Sequence, residues 1–432
     1  MTAAEPKTPV RPAGRSERWI LLAAAVFALV PYLEYRGLFA RLYWFGDDFD
    51  MIDQMDRMGF WRWTWLAYGE NFVPLFKLLW GGSVLAFGGS YVAMITLVWM
   101  THALNVALLG RLMRSCGLPW MAVFSAQLVL GLTPATIETL AWSVQWSSVM
   151  SVTFLLLALD CFFRAPFGRA PIAWAAASAL SFARGLLTGA LLALASLLPG
   201  AAGRNERLSR RLGYSLACLV PTVAVAVLIS LLVPAADKPH MDGKWGGAAV
   251  YGAWYYCLNP AYYLLGVESW GSRTVVLLGV LKLALVAWTL HRSQGRARAL
   301  FLVLLAFDLG YAVLLGIGRY HTGLHAANSS RYQYASILAV MPAFGFLVSR
   351  LFERVPGPAG FRRLAFAAVL AFAAASMCRQ WSVEIGHFAS WRGTETRQLL
   401  LVDPAPAPFA VPGYPGFPTQ RAKDLIEKYH LH

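Results

Sequence analysis

Acidic residues are scarce in this chain, and so is charge of either sign. Of 432 residues only 22 are Asp or Glu, and charged side chains make up 14% of the whole, against about 25% in a typical soluble domain. That shortage excludes an ordinary water-soluble fold of this size. Cysteine is sparse too: the five residues are set singly, with neither the spacing of a disulfide framework nor that of a metal cluster. Internal repeats are lacking, as is any polar stretch long enough to stand as a separate soluble domain. What the chain has in abundance is apolar surface, with 58% hydrophobic residues and a mean hydropathy of +0.53. It is arranged in blocks of about 20 residues, the length that crosses a bilayer core as a helix. Seventeen Trp and seventeen Tyr suit a protein with two membrane interfaces to line. The expected fold class is an all-α polytopic membrane protein.

The formal charge of +15 calls for no nucleic-acid partner. Lys and Arg gather in short loops between apolar blocks, as the positive-inside rule expects of cytoplasmic loops. By that rule the segments 1–18, 111–114, 164–169, 204–211, 291–298 and 350–363 are cytoplasmic. The N-terminal segment, with Lys7, Arg11, Arg15 and Arg18 before an apolar run, resembles a signal peptide. No small-residue cleavage site follows, however, and Pro31-Tyr32-Leu33-Glu34 continues the span, so an uncleaved first helix is expected. Spans are expected at 19–38, 91–110, 118–133, 144–163, 214–233, 273–290, 299–318, 335–349 and 364–380, with a short helical hairpin at 171–200 turning near Ser181 to Gly185. That gives about eleven crossings, a transmembrane domain over 19–380, and a tail over 381–432. The apolar but short stretch 74–88 is read as an interfacial helix. The outer face then receives 40–90, 134–143, 234–272, 319–334 and the tail, whose six prolines between Pro404 and Pro418 make an extended strap. A short amphipathic helix follows, with Leu425, Ile426 and Tyr429 on one face.

Those few carboxylates are unevenly spent. The first outer loop holds Asp47, Asp48, Asp50, Asp53 and Asp56 within ten positions. Asp50, Asp53 and Asp56 recur every third residue opposite Met51, Ile52, Met55 and Phe60, the pattern of a surface helix with its carboxylates in water. Asp47 and Asp48 precede that helix, beside Gly46 and after Tyr43-Trp44-Phe45, aromatics suited to anchor the end of a span at the interface. Such a pair serves as a helix cap, a cation site or a base. Asp48-Phe49-Asp50 also spells the D-x-D of nucleotide-sugar enzymes, but nucleotide sugars are cytoplasmic and this loop is not.

An acidic pair directly after the first span resembles the GT-C superfamily of membrane glycosyltransferases, which use polyprenyl-phosphate sugars on the outer face. The resemblance continues in order. Residues 71–90 (NFVPLFKLLWGGSVLAFGGS) are similar to the interfacial segment of protein O-mannosyltransferase-like proteins. Residues 99–119 (WMTHALNVALLGRLMRSCGLP) and 133–164 (TPATIETLAWSVQWSSVMSVTFLLLALDCFFR) are similar to their following spans, and the hairpin at 171–200 fits as well. The match runs over about residues 20–200. Beyond it, SSRYQY (329–334) resembles the Arg-Tyr element at an outer helix end in several GT-C proteins. Gln145 and Trp146 stand where the O-mannosyltransferases often have Gly and Arg, and no large C-terminal acceptor-binding domain is expected.

The resemblance implies a GT-C-type bundle in the plasma (inner) membrane, with a cytoplasmic N-terminus and an extracytoplasmic site. It implies inverting transfer of a sugar from a polyprenyl-phosphate donor to an outer-face glycolipid, cell-wall polysaccharide or protein. A phosphate leaves without being protonated, so one base suffices. Asp47 is the expected base and Asp48 its orienting or acceptor-binding neighbour; the competing reading is a cap plus a solvated carboxylate. Arg331, a planar fork at an outer helix end beside Tyr332, suits the phosphate or else anchors at the interface. His321 and His325 lack a third metal ligand and have Gly323 between them, so neutral hydrogen bonding to sugar or phosphate suits them better. Lys77 reaches the phosphate or snorkels. Glu138 binds sugar hydroxyls or caps a short helix. Arg184, at the tip of the hairpin, faces the site. Asp160 and Arg164 are placed to pair, while His102 and Asn105 suit hydrogen bonding between helices. The pattern names no definite cofactor, and a divalent cation is one use for the acidic pair. The alternatives are a transporter or flippase of lipid-linked sugars, a polysaccharide ligase or polymerase, and a GT-C scaffold without activity.

Overall fold

The computed structural model describes residues 14–201, 206–234, 244–258, 272–401, 410–411 and 414–432. Helix dominates, as an apolar chain requires when no water is at hand to satisfy its backbone. Among the described residues, seven helices are long and apolar enough to cross a membrane, or up to eight if the bent pair Trp120–Leu132 and Pro134–Leu140 counts as one. The protein is therefore an all-α, multi-pass membrane protein. A helix lies at each of the eleven expected spans, yet not all qualify as crossings. The first, Gly14–Glu34, carries Glu17, Arg18 and Glu34, and the hairpin helices Ala170–Ala179 and Leu187–Leu197 are only 10 and 11 residues long.

Burial sorts the helices into two groups. The helix Trp146–Arg164 is the hub: it packs against Tyr91–Ser115 and Ala170–Ala179, and 83% of its apolar window is buried. The helices Leu208–Leu232 and Ala359–Phe388 are mostly uncovered, with 17% and 6% of theirs buried, as lipid-facing helices would be. The expected hydrogen bonds between spans are present. His102 Nδ1 lies 3.0 Å from the Tyr334 hydroxyl, and Asn105 Nδ2 donates to that hydroxyl at 2.9 Å and to the Val149 carbonyl at 3.0 Å. Asp160 pairs with Arg164 at 2.9 Å as expected, and with Arg111 at 2.6 Å. These contacts hold the bundle together without reaching the chemistry below.

Several details depart from expectation. Tyr43 and Trp44 are not interfacial anchors but buried core residues: the Tyr43 hydroxyl donates to the Leu431 carbonyl and Trp44 Nε1 to that of Gly89. The last long helix does not stop at 380 but continues to Phe388, then through a π-helical turn at Ala389–Glu395 into Thr396–Leu401. Most of the proline strap and of the segment 234–272 lies outside the described residues. Within that segment Trp245–Leu258 is a helix packed on Gly295–Arg319. The expected C-terminal helix is present at Thr419–Tyr429, with Leu425 fully buried.

The docking of that helix overturns the wet-face reading of the aspartates. Arg421 Nε meets Asp53 at 2.6 Å and its Nη2 meets Asp56 at 2.7 Å, while Lys428 and the Tyr429 hydroxyl also bind Asp56. The backbone of His432 exchanges hydrogen bonds with Gly89 and Tyr91. Asp53 and Asp56 thus fasten the C-terminal helix to Asp47–Met58 rather than facing water. The third-residue period was real, but a protein partner covers the polar face.

Candidate active site

The site begins where the backbone turns at Gly46, whose φ of +55° is readily held only by glycine. The turn delivers three carboxylates, Asp47, Asp48 and Asp50, into the first turn of Asp47–Met58. Their directions differ. Asp48 is fully buried, its Oδ2 accepting the Phe45 N–H at 3.1 Å and its Oδ1 the Ser143 hydroxyl at 2.6 Å. It faces into the protein and ties the helix start to the Ser143 turn. Asp47 and Asp50 face a cavity of about 750 Å³. Gln54 Nε2 donates to Asp50 at 2.9 Å. Burial raises the pKa of Asp47, opposed by the nearby guanidiniums of Arg331, Arg319 and Arg392. It takes Asp48 up to about 7, against the lowering effect of its hydrogen bonds.

The opposite walls are basic. Arg184, Arg319, Arg331 and Arg392 all line the cavity, together with Tyr332, Trp142 and the turn Tyr68–Asn71. Arg184 comes from the hairpin turn Ala183–Leu186 and is 2% exposed. Its guanidinium stacks 4.4 Å from the Tyr311 ring centre, yet Nε and Nη1 have no hydrogen-bond partner. A buried guanidinium without an anion costs several kcal/mol, so an anionic ligand is the natural complement. Arg319, at the end of Gly295–Arg319, pairs with Glu70.

Glu138 stands behind this wall rather than in the cavity. Its carboxylate accepts from the Ser329 hydroxyl at 2.7 Å and the Arg331 N–H at 3.3 Å, and meets the guanidiniums of Arg392 at 3.3 Å and Arg331 at 3.6 Å. One buried carboxylate thereby aims two arginines. Arg392 sits on the π-helical turn, with the ring centres of Phe45, Phe388, Trp391 and Trp142 within 5.2 Å of its guanidinium. Single π turns of this kind are frequent at functional sites. Gly393 seats the turn on the backbone of Arg41, where a Cβ would collide.

Of the residues expected at the site, Asp47, Arg184, Arg331 and Tyr332 line one cavity, while Asp48 and Glu138 brace it. His321 and His325 do not line it; both are exposed, on short 3₁₀ turns. Lys77 does not line it either, and it does not snorkel. It is fully buried and donates to the carbonyls of Trp63 at 3.1 Å and Leu66 at 3.0 Å, tying down the end of the helix Phe60–Thr64. Burial lowers its pKa to about 8. Sequence reasoning missed Asp50, Glu70, Arg319 and Arg392. For Arg392 a signal existed, because Trp381, Ile385 and Phe388 continue a buried helical stripe past 380. Among the described residues no three His, Cys, Asp or Glu side chains gather as a metal-ligand set. Asp47 and Asp50 would meet a divalent cation only together with ligand oxygens, as Mg²⁺ is often held.

No family model and no curated protein sequence matches the chain. Among solved structures it is similar to the crystal structure of the Archaeoglobus fulgidus oligosaccharyltransferase tethered to an acceptor peptide containing the NVT sequon. The identity is 13% and the TM-score 0.47, over 97% of this chain and 59% of that one. The chain thus spans about three-fifths of the length of that protein.

Proposed function

We propose that the protein is a GT-C-type membrane glycosyltransferase. In this reading it moves a sugar from a polyprenyl-phosphate donor to a hydroxyl of an outer-face glycan, glycolipid or protein. One observation carries the reading: Asp47 shares a cavity with four arginines from three separated parts of the chain, Arg184, Arg319 with Arg331, and Arg392. A base and a set of cations are what the reaction needs. Asp47 takes the proton of the acceptor hydroxyl, the freed oxygen attacks the anomeric carbon, and the bond from that carbon to the phosphate oxygen breaks with inversion. The electron pair leaves on the phosphate, and fixed guanidiniums meet its charge without rearrangement. Arg184 suits this role because no anion among the described residues engages it, and Arg331 because Glu138 aims it from behind. A raised pKa on Asp47 suits base work near neutral pH. Asp48 acts through the backbone, fixing the helix start that carries Asp47. Tyr332 and Trp142 offer flat faces for a sugar ring. His321 and His325 take no part.

The test is reconstitution in liposomes with a panel of polyprenyl-phosphate sugars and membrane-extract acceptors. Sugar transfer by the wild type that disappears in Asp47→Asn supports the reading, and transfer persisting at the wild-type rate overturns it. The same assay with a chelator decides whether a divalent cation is needed. Labelling of a cysteine placed at exposed Arg57 (63% exposed) tests the sidedness: modification from the cytoplasm alone overturns the outer-face site.

A further inference from the structure

We propose that Arg184, Arg319 and Arg331 form one seat for a phosphate group, and that the Glu70 carboxylate occupies the Arg319 side of it until a phosphate displaces it. The inference rests on the donor chemistry proposed above and adds where its phosphate sits and what guards the place.

The three arginines come from the hairpin turn, the end of Gly295–Arg319 and the start of Ser330–Arg354, and all line the cavity. Their partners differ. Arg184 has no hydrogen-bond partner for Nε or Nη1, Arg331 shares the fixed carboxylate of Glu138, and Arg319 holds Glu70. Such a cluster, with one guanidinium open and buried, fits an anionic ligand carrying several acceptor oxygens.

Among the described residues, Glu70 is the acidic group at the cavity that is free to leave. Asp47 and Asp50 are set in a helix, and Glu138 is buried under four contacts. Glu70 instead stands on the tight turn Tyr68–Asn71, closed by paired backbone hydrogen bonds of 2.8 and 3.0 Å around Gly69. Its side chain is 32% exposed and that of Arg319 is 39% exposed. A partly exposed ion pair is weak, and a phosphate offers the guanidinium fork the same two acceptors with further oxygens and charge left for Arg184 and Arg331. Exchange of Glu70 for phosphate is therefore favourable, while a singly charged carboxylate ligand would gain little. The carboxylate so placed raises the threshold for weak anions and keeps Arg319 aimed while the seat is empty.

The full-length protein in nanodiscs is titrated with polyprenyl phosphate, with inorganic phosphate as competitor, reading tryptophan fluorescence. Glu70→Gln should bind polyprenyl phosphate about two- to fivefold more tightly, the scale of a half-exposed ion pair, and Glu70→Asp should stay near the wild type. Arg184→Gln should weaken binding by about tenfold or more. In an Arg319→Gln background the Glu70→Gln gain should vanish. Unchanged or weaker binding in Glu70→Gln overturns the proposal, as does an equal gain without Arg319. Competition by inorganic phosphate supports a seat that reads phosphate itself; failure to compete at any concentration counts against it. Because binding needs no transfer, a preserved Glu70 effect with no sugar transfer would overturn the reaction reading alone.

Discussion

The two ends of the helix Asp47–Met58 use aspartate in opposite ways. At its start, burial raises Asp47, Asp48 and Asp50, and Asp48 reaches about 7. Toward its end, burial also pushes Asp56 upward, but Lys428, Arg421 and Tyr429 reverse the effect and hold it at about 2. The helix dipole favours carboxylates at the start, yet that is where they are hardest to ionise. The comparison decides which force wins. A rise from 3.8 to about 7, at roughly 1.4 kcal/mol per unit of pKa, outweighs the ~0.3–1 kcal/mol of a helix terminus. Removal from water dominates unless a cation is within hydrogen-bond reach. The starting end is thus suited to moving protons and the finishing end to holding structure.

Neutralising the starting end should have the largest effect. Asp47→Asn removes the proposed base and should reduce sugar transfer by about 10²–10⁴-fold, with the unfolding temperature close to that of the wild type. Transfer assays on liposomes and thermal unfolding in detergent measure the two quantities. A wild-type rate would mean that the two ends do not differ in chemistry at all.

This contrast was only half legible in the sequence. Apolar blocks and basic loops gave the helices, because bilayer thickness and the positive-inside rule act on composition alone. The turn at Gly46 was readable from the glycine and the aromatics before it, but the grouping was not: Asp47 and Asp48 open the helix rather than precede it, and Asp50 joins Asp47 at the cavity instead of Asp53 and Asp56. What covers Asp53 and Asp56 was not readable. Their partner Arg421 lies 368 residues from Asp53 and 365 from Asp56, and a period of three describes a polar face without saying whether water or protein meets it. Lys77 was misread for a similar reason: its role depends on two carbonyl oxygens that a loop brings to it. The cavity arginines divide in the same way. Arg331 and Arg184 sit at element ends that hydropathy locates, whereas Arg392 needed a helix eight residues longer than its apolar core implied.

Asp48 tests burial directly, with the next largest effect. Its folded pKa lies above the ordinary value, so it favours folding in its neutral form. That contribution is whole below about pH 4 and is lost as pH rises through about 7. Asp48→Asn should therefore flatten the fall in stability between about pH 4 and 8, a difference of a few kcal/mol at most. The asparagine keeps one accepted bond but must donate toward Ser143 Oγ, which already accepts from Trp80 Nε1. Unfolding temperatures across that range decide it, and an unaltered slope would assign the pH dependence elsewhere.

At the other end the signs reverse. Asp56, held at about 2, contributes stability above the unfolded value of about 3.9 that is lost as pH falls toward 2. Arg421→Gln breaks ties to both Asp53 and Asp56 and should cost about 1–2 kcal/mol, less than fully buried charged hydrogen bonds because the guanidinium is partly exposed. Transfer should fall modestly, since Asp47 rides on the same helix. Stability unchanged from the wild type would make the C-terminal helix a passenger.

Arg57→Gln should have the smallest effect, and it sharpens the comparison by sharing a carboxylate with Arg421. Arg57 Nε lies 3.0 Å from Asp53, one helical turn away, and its side chain is 63% exposed. Arg421 reaches the same carboxylate at 2.6 Å with 26% exposure. An exposed pair within one helix closes no long loop and competes with water, so its loss should cost about 0.5 kcal/mol or less. Loss of the Arg421 contact also releases a helix that the chain must bring back from its far end. If the two substitutions destabilise equally in thermal unfolding, contact to Asp53 alone sets the cost. If Arg57→Gln is nearly silent, burial and the docking of a distant segment set it, as they set the character of the helix at its other end.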